Sequence, residues 1–199
     1  EELHQLIAWA AGLTMVFGVL GAVGQGRIQS ILTYHIVSQI GFMVLAIGLH
    51  SAAAFAAATF YIIHHIIVKS SLFLVGGIVI RANGTDELAR TGGLWRVAPW
   101  LGLLFLVQAM SLAGLPPLSG FWGKLMIIQE GFRQQEWVLV TLSLGASALT
   151  LLSMLKIWLG AFWAGEPAAS VRFDARARRM TAAGLVMAAV SLGIGLGAE

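Results

Sequence analysis

From Trp100 to Met126 the chain carries one charged side chain, Lys124, and Gly114, Pro116 and Pro117 interrupt the apolar run near its middle. In water such a stretch would fold as helix, turn and helix. Here the apolar flanks, Pro99 to Phe132, are too long for that. As one helix they would extend about 51 Å at 1.5 Å per residue. A bilayer core is about 30 Å thick, so part of the stretch must unwind or run sideways. Proline removes a backbone donor, and irregular backbone at membrane depth persists only where protein or water satisfies it. The pattern predicts a membrane-spanning helix that breaks at Gly114–Pro117 and places an amine, Lys124, about two turns beyond the break.

The rest of the chain agrees with a lipid solvent. Of 199 residues, 58% are hydrophobic and 11% charged, far from the composition of a soluble domain, and the mean hydropathy is +0.86. A transmembrane helix needs roughly 20 mostly apolar residues. Six segments meet or approach that length: 3–24, 28–49, 52–80, the broken 99–132, 137–163 and 180–197. The expected fold is an all-α integral membrane protein of about six transmembrane helices, forming one bundle over 1–199. Gly18, Gly21 and Gly24 mark a small-residue face on the first segment, suited to close helix packing. The chain opens Glu1-Glu2-Leu3 without a basic leader, so no signal peptide is expected, and an N-terminal part is expected to be missing. Cysteine is absent, which excludes disulfides and thiolate metal sites. No catalytic, metal or cofactor motif is found, and nothing points to nucleic acid.

Basic residues fix the expected orientation. Arg27, Arg81, Arg90, Arg96, Arg172, Arg176, Arg178 and Arg179 fall in connections on one side, against Arg133 on the other. The positive-inside rule puts loops 25–27, 81–98 and 164–179 in the cytoplasm. The arginines of the last loop read as a face toward solvent or lipid headgroups. Asn83-Gly84-Thr85-Asp86 reads as a turn.

All nine acidic residues lie in loops or near segment ends, so the ionisable groups at depth are basic. A lysine at the bilayer centre costs at least about 2.5–3.5 kcal/mol on insertion scales and persists where it faces protein or water. Lys69 sits roughly 16 Å from the end of its segment at Ile80, too deep to reach the interface easily. His65 and Tyr61 stand one and two turns earlier on the same stripe. Neutral imidazole can take a proton and pass it on, so Tyr61, His65 and Lys69 make a candidate proton relay. The alternative is a set of satisfied interhelical hydrogen bonds. Lys124 follows the break, and broken helices at mid-depth build ion sites in transporters. Its alternative is a proline kink with the amine reaching the interface. Lys156, near a segment end, is explained as well by snorkelling as by function. His35, Ser38 and Gln39 are supporting polar groups that bond across helices. A paired haem ligation by His35 and His65 finds no second pair at matching depth.

Three stretches resemble one known family. They are Leu32 to Phe42 (LTYHIVSQIGF), Tyr61 to Leu74 (YIIHHIIVKSSLFL) and Leu112 to Lys124 (LAGLPPLSGFWGK). They are similar, in order and spacing, to motifs of the antiporter-like proton-translocating subunits. Those subunits occur in respiratory complex I, membrane-bound hydrogenases and Mrp-type Na+/H+ antiporters. The likeness covers Leu3 to about Trp163 and is greatest to the D-type subunits of Mrp antiporters, which share Tyr34-His35 and the doubled His64-His65. The complex I branch more often carries histidine where this chain has Tyr61.

The resemblance implies a fold of two inverted five-helix repeats, of which this chain would be the second, with one helix after it and the first repeat absent. It implies a relay of Lys69 and His65 at the centre, with Tyr61 and His64 beside them. Lys124 would be the terminal lysine, and Gly114, Pro116 and Pro117 the helix break. It implies a proton-translocating subunit of a multisubunit Na+/H+ antiporter in a bacterial plasma membrane, working with other membrane subunits on protons and Na+, without a cofactor. A proton-pumping subunit of a quinone oxidoreductase or hydrogenase is the alternative. A passive scaffold, with both lysines packed on backbone carbonyls, is a third reading.

Overall fold

The computed structural model describes residues 2–166 and 175–198, and Arg172 lies outside them. Helix α1 (Glu2–Gly24) is followed by α2 (Ile28–Gly48), α3 (Ala52–Asn83), the short α4 (Leu94–Val97), α5 (Pro99–Ala113), α6 (Ser119–Arg133), α7 (Trp137–Trp158) and α8 (Ala175–Leu196). A π-helical turn, Leu159–Trp163, continues α7. Five of these are long and apolar enough to cross a membrane, the fourth with its π-turn. α5 is apolar but, at 15 residues, spans only about 22 Å. α5 and α6 together therefore make one broken segment.

Helix ends follow local chemistry. Ser51 caps α3 by accepting from the Ala54 amide at 3.0 Å. Gly84 ends it in the left-handed region, φ 71°, with its N–H on Ile80 O. The helix thus runs three residues past the expected end at Ile80. The loop expected over 81–98 is more ordered than a loop. It holds a 3-10 turn, Leu88–Arg90, and α4. The last helix begins at Ala175 rather than residue 180, so Arg176, Arg178 and Arg179 occupy its first turns and not a connection. Alanine and arginine are strong helix formers, and their exposed faces cost nothing at the membrane surface.

The short connections tie the basic end together. Arg27 Nε bonds both carboxylate oxygens of Asp86 at 3.0 Å, and Leu88 N donates to Gly26 O at 2.9 Å. The hydrogen bond and charge of Asp86 hold the Arg27 guanidinium above its usual pKa. Lys156 turns back to α1, donating to Val23 O at 3.0 Å and Gln25 O at 2.7 Å. It caps the C-terminal end of α1, where a cation meets the negative end of the helix dipole. At the opposite end His4 stacks on His50 with ring centroids 3.7 Å apart, and Gln134 Nε2 bonds Leu49 O at 2.6 Å.

Close packing of α1 on α2 uses glycines from both helices. A Cβ at Gly18 would meet Ser38 N, one at Gly41 would meet Met15 N at 2.7 Å, and one at Gly48 would meet Ala8 N at 2.8 Å. Gly21 packs under the Tyr34 ring. A Cβ at Gly24, expected on the same face, would meet nothing within 4 Å. Gly41 and Gly48 complete a contact for which the sequence named only the α1 half.

The buried apolar side chains form two clusters. One holds Leu32, Val68, Leu72, Phe105, Leu112, Met154 and Phe162, toward the basic end. The other holds Met15, Phe42, Tyr61, Ile127, Leu139 and Ala146, toward the opposite end. On α2, α3, α5–α6 and α7 a group of buried polar residues lies, in chain order, between members of the two clusters: His35, Ser38 and Gln39; His64 and His65; Ser119 and Lys124; and Thr150 and Ser153. Lys69 and Gln108 are buried next to them among residues of the first cluster, beside Val68 and Ala109. The two apolar clusters, or plugs, thus have a polar layer between them.

The glycine contact makes a prediction of sign. Alanine normally improves a helix over glycine by about 1 kcal/mol. Gly41→Ala should instead lower the melting temperature of the purified protein, since the added carbon overlaps α1 backbone, whereas Gly24→Ala should leave it unchanged or raised.

Candidate functional site

The polar layer is built around the break. α5 stops at Gly114, whose φ of 91° only glycine adopts readily. Its N–H and that of Leu115 return to Met110 O at 3.1 Å, and the Pro116–Pro117 bond is cis. α6 restarts at Ser119. The break expected from Gly114, Pro116 and Pro117 lies at those residues.

Lys124 stands one turn into α6 and is 3% exposed. Its Nζ donates to Ala113 O at 3.2 Å, an end carbonyl of α5, and to Ser147 Oγ of α7 at 3.0 Å. The ammonium lies 4.5 Å from the centroid of the Phe42 ring. The amine therefore reaches into the break and not to the interface, which removes the snorkelling alternative for this residue. A cavity of about 200 Å³ lined by Gly114, Phe121, Lys124, Leu144 and Ser147 opens beside it.

Lys69, 5% exposed, donates to Leu32 O of α2 at 2.8 Å. That carbonyl is one turn before His35, so the Lys69 amine and the His35 ring meet α2 at neighbouring levels. His35 Nε2 is 2.6 Å from Ser153 Oγ of α7. The Ser153 hydroxyl also lies 3.0 Å from Leu149 O and Thr150 O. A hydroxyl that donates to its own helix leaves its lone pairs for an imidazole N–H. His35 Nδ1 is buried without a protein partner. Ser38 bonds Met15 O at 2.9 Å and ties α2 to α1.

The stripe expected from Tyr61 through His65 to Lys69 divides. Tyr61 donates its hydroxyl proton to Gln39 Oε1 on α2, not along its own helix. His64 turns toward the break instead, with Nδ1 2.8 Å from Ser119 Oγ. A carbon on Gly120 would sit 2.9 Å from His64 Nε2, so this nitrogen lies against the α6 face that carries Lys124 one turn on. His65 is buried, and its Nε2 has no protein partner.

The buried polar atoms without protein partners are concentrated in this layer. They include His35 Nδ1, Gln39 Nε2, His64 Nε2, His65 Nε2 and both amide atoms of Gln108 on α5. Buried polar groups in folded proteins nearly always have a partner, in protein or in water. Gln108, Ser111, Ser119, Ser147, Ser153 and Ser191 were not legible as site residues. A serine or glutamine in an apolar segment looks the same whether it bonds its own helix or a neighbour. Among the described residues no group of three or more His, Asp or Glu side chains could hold a metal ion.

Residues 1–150 match the family described as "NADH:quinone oxidoreductase/Mrp antiporter, TM". The chain is 42% identical, over 98% of its length, to a protein of Alkalihalophilus pseudofirmus named as the D-type subunit of a Na(+)/H(+) antiporter. It is 37% identical over the same share to the protein of that name in Bacillus subtilis. It spans 40% of the length of each of these curated relatives. Among solved structures, a chain of the Mrp complex from a Dietzia species superposes with a TM-score of 0.89 at 32% identity. That superposition covers 98% of this chain and 44% of that one.

The Tyr61–Gln39 bond is a buried pair whose halves should be costly to remove singly. Gln39→Leu leaves the phenol without an acceptor and should destabilise the purified protein by about 1–3 kcal/mol in denaturant unfolding. Adding Tyr61→Phe to that variant should recover most of the loss.

Proposed function

The chain belongs to the NADH:quinone oxidoreductase/Mrp antiporter transmembrane family, and from that premise we propose that it forms the part of an antiporter subunit in which protons pass between Lys69 and Lys124. The observation that carries the reading is the set of buried polar atoms without protein partners: His35 Nδ1, His64 Nε2 and His65 Nε2, lying with Lys124 between the two apolar plugs, and the Gln108 amide, buried like Lys69 among residues of the first plug. Water supplies their missing partners and a hopping path in the membrane plane, while the plugs prevent a leak from face to face.

Each group has a role in that path. Lys69 and His65 hold the central proton. His35 accepts at Nδ1 from the direction of Lys69. His64, over Gly120, trades a proton at Nε2 with Lys124. Lys124 exchanges it with one side of the membrane through the cavity at the break. Tyr61 and Gln39 fix α3 against α2. The relatives named as D-type subunits of Na(+)/H(+) antiporters support Na+ as the ion exchanged and the other subunits of such an antiporter as the partners. The basic end faces the cytoplasm of a bacterial cell. We read the chain as the second repeat of such a subunit.

Both amines rest on backbone carbonyls, as they would in a passive scaffold. A scaffold, however, has no use for imidazole nitrogens and a glutamine buried unpaired beside them, since each costs desolvation energy. The test is cation-driven proton movement in membrane vesicles carrying the chain in its native assembly. Lys69→Ala and Lys124→Ala should each reduce it to background while the assembly still forms. Undiminished antiport in either variant would refute the relay.

A further inference from the structure

The last helix, α8, is the most exposed of the long helices, and leucines and valines such as Leu185, Val186, Val190 and Leu196 cover its outer face. Its inner face nevertheless meets the break. A carbon on Gly195 would lie 2.6 Å from both Pro117 O and Ser119 N. Trp122 Nε1 of α6 donates to Gly195 O at 2.7 Å, and Ser71 Oγ of α3 donates to Gly184 O at 3.3 Å. One turn before Gly195, Ser191 points into the protein and is buried. Its Oγ is 2.8 Å from Ser119 Oγ and 3.3 Å from Ser111 Oγ, and those two are 3.3 Å apart. Three hydroxyls from α5, α6 and α8 thus form a closed triangle, and Ser119 at one corner holds His64 Nδ1 at 2.8 Å.

A triangle of hydroxyls can accept an imidazole N–H and still pair all of its own protons. Each oxygen can donate one hydrogen bond and accept two. With the three protons oriented around the triangle, Ser119 donates within it and accepts from His64 Nδ1–H. The same arrangement serves the neutral ring and the imidazolium, because only Nε2 gains or loses a proton between them. No buried hydroxyl is left unpaired in either state. A lysine in that place would only donate, which would leave Nδ1 bare and Nε2 unable to take a further proton.

We propose that Ser191 of α8, with Ser111 and Ser119, is a positioning residue of the transport site: the serine triangle holds the His64 ring over Gly120 while Nε2 takes and releases a proton. The step moves one proton between His64 Nε2 and Lys124 Nζ, directly or through one water; Nδ1 keeps its proton and its bond to Ser119 throughout, and the serines keep theirs. α8 is then part of the site and not only a face toward lipid. The titratable groups around His64 are Tyr61 and His65 on its own helix and Lys124 on α6, while α5 and α8 contribute hydroxyls.

The inference rests on the relay proposed above, and the test separates the two. Transport is measured in vesicles carrying the chain in its native assembly, as a function of pH and in D2O. Ser191→Ala should slow it about five-fold, the worth of one hydrogen bond, with a shifted pH profile and a larger solvent isotope effect. Ser191→Thr, which keeps the hydroxyl, should restore all three. Ser119→Ala should be at least as severe. The bonds Trp122–Gly195 and Ser71–Gly184 remain to hold α8 in the alanine variant. Should Ser191→Ala match the parent in rate, pH profile and isotope effect while Lys124→Ala is inactive, the triangle has no part in transport and the relay stands. Equal losses in Ser191→Ala and Ser191→Thr would assign Ser191 to packing alone and overturn the proposal. An active Lys124→Ala variant would remove the relay itself.

Discussion

A helix that ends halfway across a bilayer leaves backbone carbonyls where no lipid can bond them, and the rest of this structure depends on how they are satisfied. Met110 O takes the returning amides of Gly114 and Leu115, and Ser111 O takes that of Gly114. Ala113 O takes a side-chain amine from the other half of the same broken segment, Lys124. The lysine is thus a cap as well as a titratable group. A cation at the C-terminal end of a helix is favoured by the helix dipole.

The same geometry explains the division of the core. A polar layer across the middle of a membrane bundle would be a leak if it joined the two faces. Here residues of the two apolar clusters lie on either side of His35 on α2, His65 on α3 and Ser153 on α7, and on either side of Lys124 along the broken α5–α6 segment, so the layer runs sideways. The lysines that mark it come from different helices, Lys69 on α3 and Lys124 on α6, and each is tied to a further helix, α2 and α7 respectively. Separation of the plugs would expose those amines to both faces at once. The glycine contacts that bring α1 onto α2 bear on the same division, because they close the cluster that contains Met15 and Phe42.

Sequence reasoning reaches what depends on local chemistry and length. The apolar spans and the break at Gly114 and Pro117 follow from residue type, spacing and the thickness of a bilayer, and Lys69 and Lys124, placed far from segment ends, are buried in the protein. It fails where the answer depends on which face of a helix looks inward. The helices here are apolar nearly all round, as lipid-exposed helices are, so no amphipathic stripe distinguishes the inner face. Hence spacing groups Gly24 with Gly18 although a Cβ at Gly24 would meet nothing, and joins Tyr61 to His65 although Tyr61 bonds Gln39. His35, read as interhelical glue, does bond across to α7 through Ser153, but the buried Nδ1 on the far side of its ring could not be foreseen. Lys156 illustrates the same limit: its position near a helix end is plain from spacing, and its partners on α1, more than a hundred residues away in sequence, are not.

Placement of the hydroxyls shows why the missing information matters for mechanism. Ser111, Ser119 and Ser191 are separated by 8 and 72 residues, and no local rule links them. Together they give His64 Nδ1 a hydroxyl whose own proton has two further serines to go to, while Ser153, beside His35 Nε2, has the carbonyls of its own helix. In the proton path proposed above, a ring that takes a proton at one nitrogen needs a partner that goes on accepting at the other. A hydroxyl can accept steadily only where its own proton has another acceptor. Helices α5 and α8 supply that acceptor for Ser119, and this is what local sequence could not reveal.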